Sequence, residues 1–284
     1  TFLEQTTYDQ FGRIFQRFDA SGDSRGIRYS YNPYGYVDQL IEAREGLGGQ
    51  VYQKSLAMDA RGNIIHAELG NGVESFARYS PSSGQLIELK AYDNSGVELQ
   101  ALGFVFDALG NLEQRTDHSN GRDLLESFSY DNLNRLTGIN YYDNGTHQTA
   151  YDVTMVYDNC GNITSKTGLS SSINYGEGTG TGPHALTSID LPDTAYYPPP
   201  QAISYNHFNK VSSISDTLSG GVPLTLDFTY GLSNQRNKTV QSRNSTVERV
   251  KYFDVDYEED STSSGHKKYH YIYGGTGLTA IFVM

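Results

Sequence analysis

The sequence predicts an all-β fold, an extended and curled antiparallel meander of short hairpins. Three observations carry that expectation. Turn signals recur about every dozen residues, at Gly12, Gly22, Gly35, Gly48-Gly49, Gly62, Asn71-Gly72, Gly84, Gly96, Gly110, Asn120-Gly121, Asn134, Asn144-Gly145 and Gly161. Between them apolar and polar residues alternate with a period of two, as in residues 136–141 and 151–157, and no 3.6-residue stripe competes. The intervals suit strands of roughly 8 residues, and about 20 such strands are too many for a flat open sheet, so the sheet should curl.

Composition narrows the function. The chain has 284 residues, 23 Tyr, 12 Phe and 30 Gly, with 37% hydrophobic residues. The aromatics supply buried area that the low hydrophobic fraction lacks. A net charge of −12 disfavours nucleic acid and anionic membrane surfaces, which select basic partners. No apolar run reaches the length of about 18 residues needed to span a bilayer as a helix. The single cysteine, Cys160, excludes an internal disulfide framework. The chain opens at Thr1 in mid-pattern, without an initiator Met, and is read as a piece of a longer protein.

One motif punctuates the meander: an aromatic or Met, then Asp or Asn, then Gly or Asn at the fifth position and Ile, Val or Leu at the seventh. It appears as YDQFGRI from Tyr8, YNPYGYV from Tyr31, MDARGNI from Met58, FDALGNL from Phe106, YDNLNRL from Tyr130, YDNCGNI from Tyr157 and YNHFNKV from Tyr205. Two weaker copies start at Tyr79 and Tyr92. Such a repeat is a hairpin signature. Asp bonds the backbone ahead of it, and Gly or Asn accepts the positive φ of a tight turn. The expected turn residues are therefore Tyr8, Asp9 and Gly12; Tyr31 and Gly35; Asp59 and Gly62; Phe106, Asp107 and Gly110; Tyr130, Asp131 and Asn134; Tyr157, Asp158 and Gly161; Tyr205 and Asn209. Since successive turns of a meander lie on opposite edges, these Asp turns should share one edge. The aromatic and the aliphatic of each copy should face each other across the ladder.

A single β-domain over 1–284 is expected: regular repeats at 1–169, an irregular Gly- and Pro-rich insertion at 170–202, and less regular repeats at 203–284. The insertion, with Pro198-Pro199-Pro200, should be a surface loop holding at most a strand or two. The apolar segment Ala280–Met284 would be an aggregation risk if bare, so it should be a paired strand, with the parent protein continuing beyond it.

The motifs resemble the YD repeats of the Rhs (rearrangement hot spot) proteins, shared with the B and C components of bacterial insecticidal toxin complexes and with teneurins. FDALGNLEQRTD, ESFSYDNLNRLTGI and GPHALTSI at 182–189 resemble the bacterial toxin-associated branch, and residues 251–284 resemble what precedes the terminal Rhs core. The resemblance implies a sheet that spirals into a hollow shell around a variable C-terminal toxin or effector, in a secreted or cell-surface bacterial protein. In the family, an Asp-based self-cleavage site in the core releases the cargo. No DHLGS-like or DPxG-like motif occurs in this sequence, so neither autoproteolysis nor toxicity carries over to it. The implied role is structural and not enzymatic, and the implied partners are further repeats and an effector of the same polypeptide. The alternative is an adhesion module presenting Tyr-rich faces to a surface glycan or protein, which solvent-facing clusters of aromatics would favour.

Other residue groups read as structure before chemistry. The acidic run Asp254, Asp256, Glu258, Glu259 and Asp260 could attract Ca²⁺ but lacks the pattern of an EF-hand, and is read as a solvated hairpin tip. His266 and His270 share a strand face but announce no third zinc ligand. The alternating glycines at 176–182 lack the strand–helix context of a phosphate cradle. Cys160 sits in a turn with no adjacent His, and the Asn-x-Ser/Thr sites at Asn144, Asn162, Asn237 and Asn244 are unremarkable in so Asn- and Thr-rich a chain. No catalytic, cofactor or metal residue is expected.

Overall fold

Wherever the sequence places Asp or Asn followed by Gly or Asn, the chain reverses and a new strand begins. The structure is a computed structural model, and the described residues are 4–22, 26–43, 49–176, 182–190, 202–218, 220–275 and 277–284. Among them regular structure is antiparallel β, apart from single 3₁₀ turns at Ser119–Gly121 and Thr149–Tyr151. No helix among them is long and apolar enough to cross a membrane.

The first strands are β1 (Gln5–Tyr8), β2 (Ile14–Phe18), β3 (Gly26–Tyr31), β4 (Val37–Glu42), β5 (Val51–Met58) and β6 (Ile64–Leu69). Then come β7 (Glu74–Tyr79), β8 (Leu86–Tyr92), β9 (Glu98–Phe106), β10 (Leu112–Asp117), β11 (Leu124–Tyr130), β12 (Leu136–Asp143), β13 (Thr146–His147), β14 (Val153–Tyr157), β15 (Ile163–Lys166), β16 (Ser172–Tyr175) and β17 (Leu186–Asp190). The last are β18 (Ala202–Tyr205), β19 (Val211–Leu218), β20 (Val222–Tyr230), β21 (Arg236–Arg243), β22 (Thr246–Phe253), β23 (Tyr257–Thr262), β24 (Gly265–Gly274) and β25 (Gly277–Val283). Contacts divide the chain into one unit made of Thr1–Gly72 with Pro198–Met284, and a second made of Val73–Tyr197.

In the first unit β1 to β6 pair in sequence order, and so do β18 to β25. The apolar strand β25 pairs with β24 from Tyr269↔Val283 to Gly274↔Gly277, as expected. The two sheets bury Leu40 of β4, Ile27 of β3 and Ile272 of β24 together, with Tyr29, Val37, Tyr52 and Ala280 packed around them. Gly274 of β24 permits this approach: a Cβ there would lie 2.9 Å from Leu40 Cδ1 and 2.6 Å from Thr279 Oγ1, and would overlap Gln53 Oε1.

The second unit continues the pattern with β7 to β12, then β14 and β15, while β13 forms a short spur on β12. Within residues 170–202 a two-stranded hairpin forms, β16 on β17. Gly178 and Gly180 of the alternating glycines, and the triple proline, lie outside the described residues.

The local reason for the turn sequence is visible in the backbone. Gly12, Gly35, Gly62, Gly110 and Gly161 have φ between +76° and +90°, and Asn134 and Asn209 take the same position at +59° and +57°. At Gly62 a Cβ would also lie 2.7 Å from the Tyr36 ring, whereas at Gly12 it would meet nothing within 4 Å. Gly12→Ala is thus expected to cost only the left-handed penalty of about 1–2 kcal/mol. Gly62→Ala should cost more, because the ring must move. Chemical denaturation of the two variants checks the order, and equal losses would contradict the steric contribution.

Candidate functional site

The recurrent constellation is the Asp turn, and it is built the same way each time. Asp9, Asp59, Asp107, Asp131 and Asp158 each accept two backbone N–H groups on Oδ1, from the residues two and four positions on, at 2.8–3.0 Å. Oδ2 then takes the side chain four positions on: Arg13, Asn63, Asn111, Arg135 or Asn162, at 2.7–2.9 Å. The Asn side chains hold Asp59, Asp107 and Asp158 below the usual carboxylate range, and at Asp131 the Arg135 backbone N–H does so foremost. A carboxylate with a depressed folded-state pKa stabilises the fold above its unfolded value, and that contribution is lost as pH falls through the folded one. Just before the turn, the aromatic pairs with the aliphatic across a β-bulge: Tyr8↔Ile14, Tyr31↔Val37, Met58↔Ile64, Tyr130↔Leu136, Tyr157↔Ile163 and Tyr205↔Val211. Phe106 faces Leu112 in the same way, with its bulge between Leu112 and Gln114.

Two further kinds of contact tie several of these turns to their neighbours. The tyrosine hydroxyl donates backwards to the carbonyl of the preceding motif's aliphatic residue: Tyr31 to Ile14, Tyr130 to Leu112, Tyr157 to Leu136 and Tyr230 to Val211, at 2.6–2.8 Å. The residue after Gly or Asn reaches forwards. Asn111 donates to Asn134 Oδ1 at 3.1 Å, Arg135 to the Asp158 carbonyl at 3.2 Å and Asn162 to the Pro183 carbonyl at 3.1 Å. The Arg13 and Arg135 guanidinium groups lie over the rings of Tyr31 and Tyr157, at 4.1 and 4.6 Å. The sequence reading singled out the aromatic, Asp and Gly but missed this polar position, although Arg or Asn recurs there. Tyr157→Phe removes one stitch and is expected to cost about 1 kcal/mol. Urea denaturation checks it, and an unchanged midpoint would make the hydroxyl dispensable.

The Asp turn is not confined to one edge. The copy at Tyr92 closes β8 onto β9, with Asp93 Oδ1 accepting the Ser95 and Val97 N–H groups at 2.8 Å, so it lies opposite the turns at Asp107 and Asp131.

In the first unit the two chain segments meet at a buried polar clasp. Asp19, just past β2, hydrogen-bonds His270 Nδ1 on β24, and Arg17 of β2 lies 3.2 Å from Asp256. Burial raises the pKa of Asp19, but the hydrogen bonds from His270 and Ser21 outweigh it, so its carboxyl titrates below the ordinary range. Asp256 moves the other way: burial raises its pKa, Arg17 offsets only part, and Glu4, Asp19 and Asp254 reinforce the rise. Asp256 Oδ1 and His270 Nε2 have no hydrogen-bond partner among the described residues. The adjoining cavity, about 30 Å³, is far too small for an organic substrate. The cluster acts as a fastening between sheets.

A carboxylate whose folded-state pKa is raised subtracts stability once ionised, and the deficit grows as pH rises through the folded value. Asp256→Asn is therefore expected to be more stable than wild type at neutral pH, with the advantage shrinking in acid. Arg17 keeps Glu4 at 3.4 Å in that variant. Thermal melts across pH check it, and a variant weaker than wild type at neutral pH would show that the Arg17 pair outweighs the burial cost.

The acidic run corrects its sequence reading. Asp254 and Val255 turn the chain, but the residues after them form β23, not a solvated tip. Asp260 and Glu258 are paired across the ladder with Arg249 and Lys251 on β22, and Asp256 and Asp260 are buried. His266 is exposed and bonds Ser261, while His270 is buried in the clasp, so the two do not converge. No group of three or more His, Cys, Asp and Glu among the described residues is placed to hold a metal. Cys160 is exposed at its turn. Asn162 is buried and engaged with Asp158, so its sequon is not open to modification.

No protein-family profile and no curated protein matches this sequence. Solved structures do. The chain is similar to the Photorhabdus luminescens Tc holotoxin pore carrying a TccC3 mutation, with a TM-score of 0.67, and to crystal structures of TcdB2-TccC3-TEV and of TcdB2-TccC3 without its hypervariable C-terminal region, at 0.62 and 0.63. Identity is 15% in each, and each match covers 95% of this chain but 15% of the other. The likeness shows an Rhs-like antiparallel fold.

Proposed function

We propose that this chain is a stretch of container wall: an Rhs/YD-repeat segment that helps enclose or present a C-terminal toxin or effector of its own polypeptide, in a secreted bacterial protein. The observation that carries this reading is the serial stitching of the hairpins. Neighbouring hairpins are bonded through the hydroxyls of Tyr31, Tyr130, Tyr157 and Tyr230 and through Asn111 and Arg135, so the sheet extends hairpin by hairpin without long connections. Such a strip has its edges paired along its length and needs no reactive group. The likeness to the Tc toxin structures over 95% of the chain supports the same reading.

The test uses the native polypeptide in which this stretch occurs. Under limited trypsin digestion, the region C-terminal to the repeats is expected to survive as long as the wall is folded, and to be digested once the wall is unfolded in denaturant. Digestion of that region at the same rate in both conditions would remove the container role. The adhesive module would then be the better account.

A further inference from the structure

The clasp of the first unit leaves two polar atoms over, and both belong to residues that line one cavity. Asp256 and His270 are 7% and 4% exposed, yet Asp256 Oδ1 and His270 Nε2 have no hydrogen-bond partner among the described residues. A buried polar atom without a partner is costly, so each of the two calls for one. The cavity measures about 30 Å³, and Arg17, Asp19, Glu42 and Tyr52 line it as well.

The charges around the cavity select its occupant. Arg17 lies 3.2 Å from Asp256 and 3.4 Å from Glu4, and Asp19 bonds His270 Nδ1. An added cation would face the Arg17 guanidinium, and an anion would face Asp19, Asp256 and Glu42. The occupant is therefore neutral. Size narrows it further. A volume of about 30 Å³ exceeds the ~10–15 Å³ that one water needs and excludes any organic molecule.

Hydrogen-bond chemistry gives the same answer. Asp19 is ionised and can only accept, so His270 Nδ1 carries a proton. Nε2 is then a bare acceptor in the neutral ring and a donor in the imidazolium. An ionised Asp256 offers Oδ1 as an acceptor in both cases. With the ring neutral, two acceptors face the cavity and cannot satisfy each other. Water donates to Asp256 Oδ1 and meets Nε2 with its second proton or with a lone pair, whichever the ring requires.

We propose that this cavity is the site of one buried structural water that bridges Asp256 Oδ1 and His270 Nε2. The water joins the Arg17–Asp256 and Asp19–His270 pairs into one network that ties β2 to β24 and to the start of β23. The site lies within the first unit and stands independently of the container reading.

A high-resolution crystal structure of the full chain tests it first. One density peak is expected at about 2.7–3.2 Å from both Asp256 Oδ1 and His270 Nε2. In solution, NMR cross-relaxation is expected between water and the His270 ring protons on either side of Nε2, with the sign of a slowly exchanging bound molecule. Asp256→Leu should abolish that signal, and its melting temperature reports whether the variant is folded. A folded Leu variant that keeps the signal overturns the proposal. So does a wild-type cavity without density, or a direct bond from Asp256 to Nε2. A peak with contacts of about 2.3–2.6 Å overturns it too, since that would be a metal cation. The wild-type density decides the question even if the variant does not fold.

Discussion

Replacing His270 by Ala is expected to destabilise the first unit by about 3 kcal/mol, the upper end of the cost of leaving a buried polar group without its hydrogen-bond partner. The loss is large because Asp19 stays behind, with its side chain 12% exposed and its main partner gone. His270 also packs against Tyr257 and Phe282, at 5.3 and 6.0 Å between ring centres, and those contacts disappear with it. The pH dependence adds a second signature. In wild type the folded pKa of Asp19 lies below its ordinary value of 3.8, so this carboxylate stabilises the fold above that pH and ceases to do so as pH falls through the folded value. Without His270, burial dominates and the same carboxyl is pushed upward. The stability gap between wild type and variant should therefore narrow in acid. Chemical denaturation across pH measures both effects, and a loss below about 1 kcal/mol at neutral pH would mean that the clasp is solvated in solution.

Leu40→Ala should cost a comparable amount by a different route. Leu40 is 2% exposed and sits between the two sheets of the first unit, so truncation opens a cavity that neighbours on separate strands cannot readily fill. Large-to-small changes of this kind cost about 2–5 kcal/mol. Leu232, at the tip of a turn and fully exposed, is the matched control, and Leu232→Ala should fall within about 0.5 kcal/mol of wild type. Hydrogen exchange adds the location: amides of β3, β4 and β24 should lose protection together in the Leu40 variant. Equal effects of the two leucine substitutions would contradict the packing of one sheet on the other.

These two sites mark what the sequence could not disclose. The hairpins were legible because their causes are local. Asp, Gly and the aromatic act within seven residues, and their spacing is kept in all seven full copies. The polar position after Gly or Asn was equally present in the string, at Arg13, Asn63, Asn111, Arg135 and Asn162, but the forward reach of Asn111 and Arg135 shows only when the next turn lies alongside. The clasp had no sequence signal at all, since Asp19 and His270 are 251 positions apart and meet only through sheet packing. The acidic run was misread for a related reason. Its alternation at Asp256, Glu258 and Asp260 is strand periodicity, and the compensating cations stand on β22, where only the register Lys251↔Asp260 brings them opposite.

The most direct test of the wall reading is electron cryomicroscopy of the intact native polypeptide that contains this stretch. The expected result is a hollow particle whose wall is one continuous antiparallel sheet, with these hairpins running along it in sequence order and C-terminal chain density inside. A solid particle, or a sheet open to solvent on both faces with nothing enclosed, would contradict it.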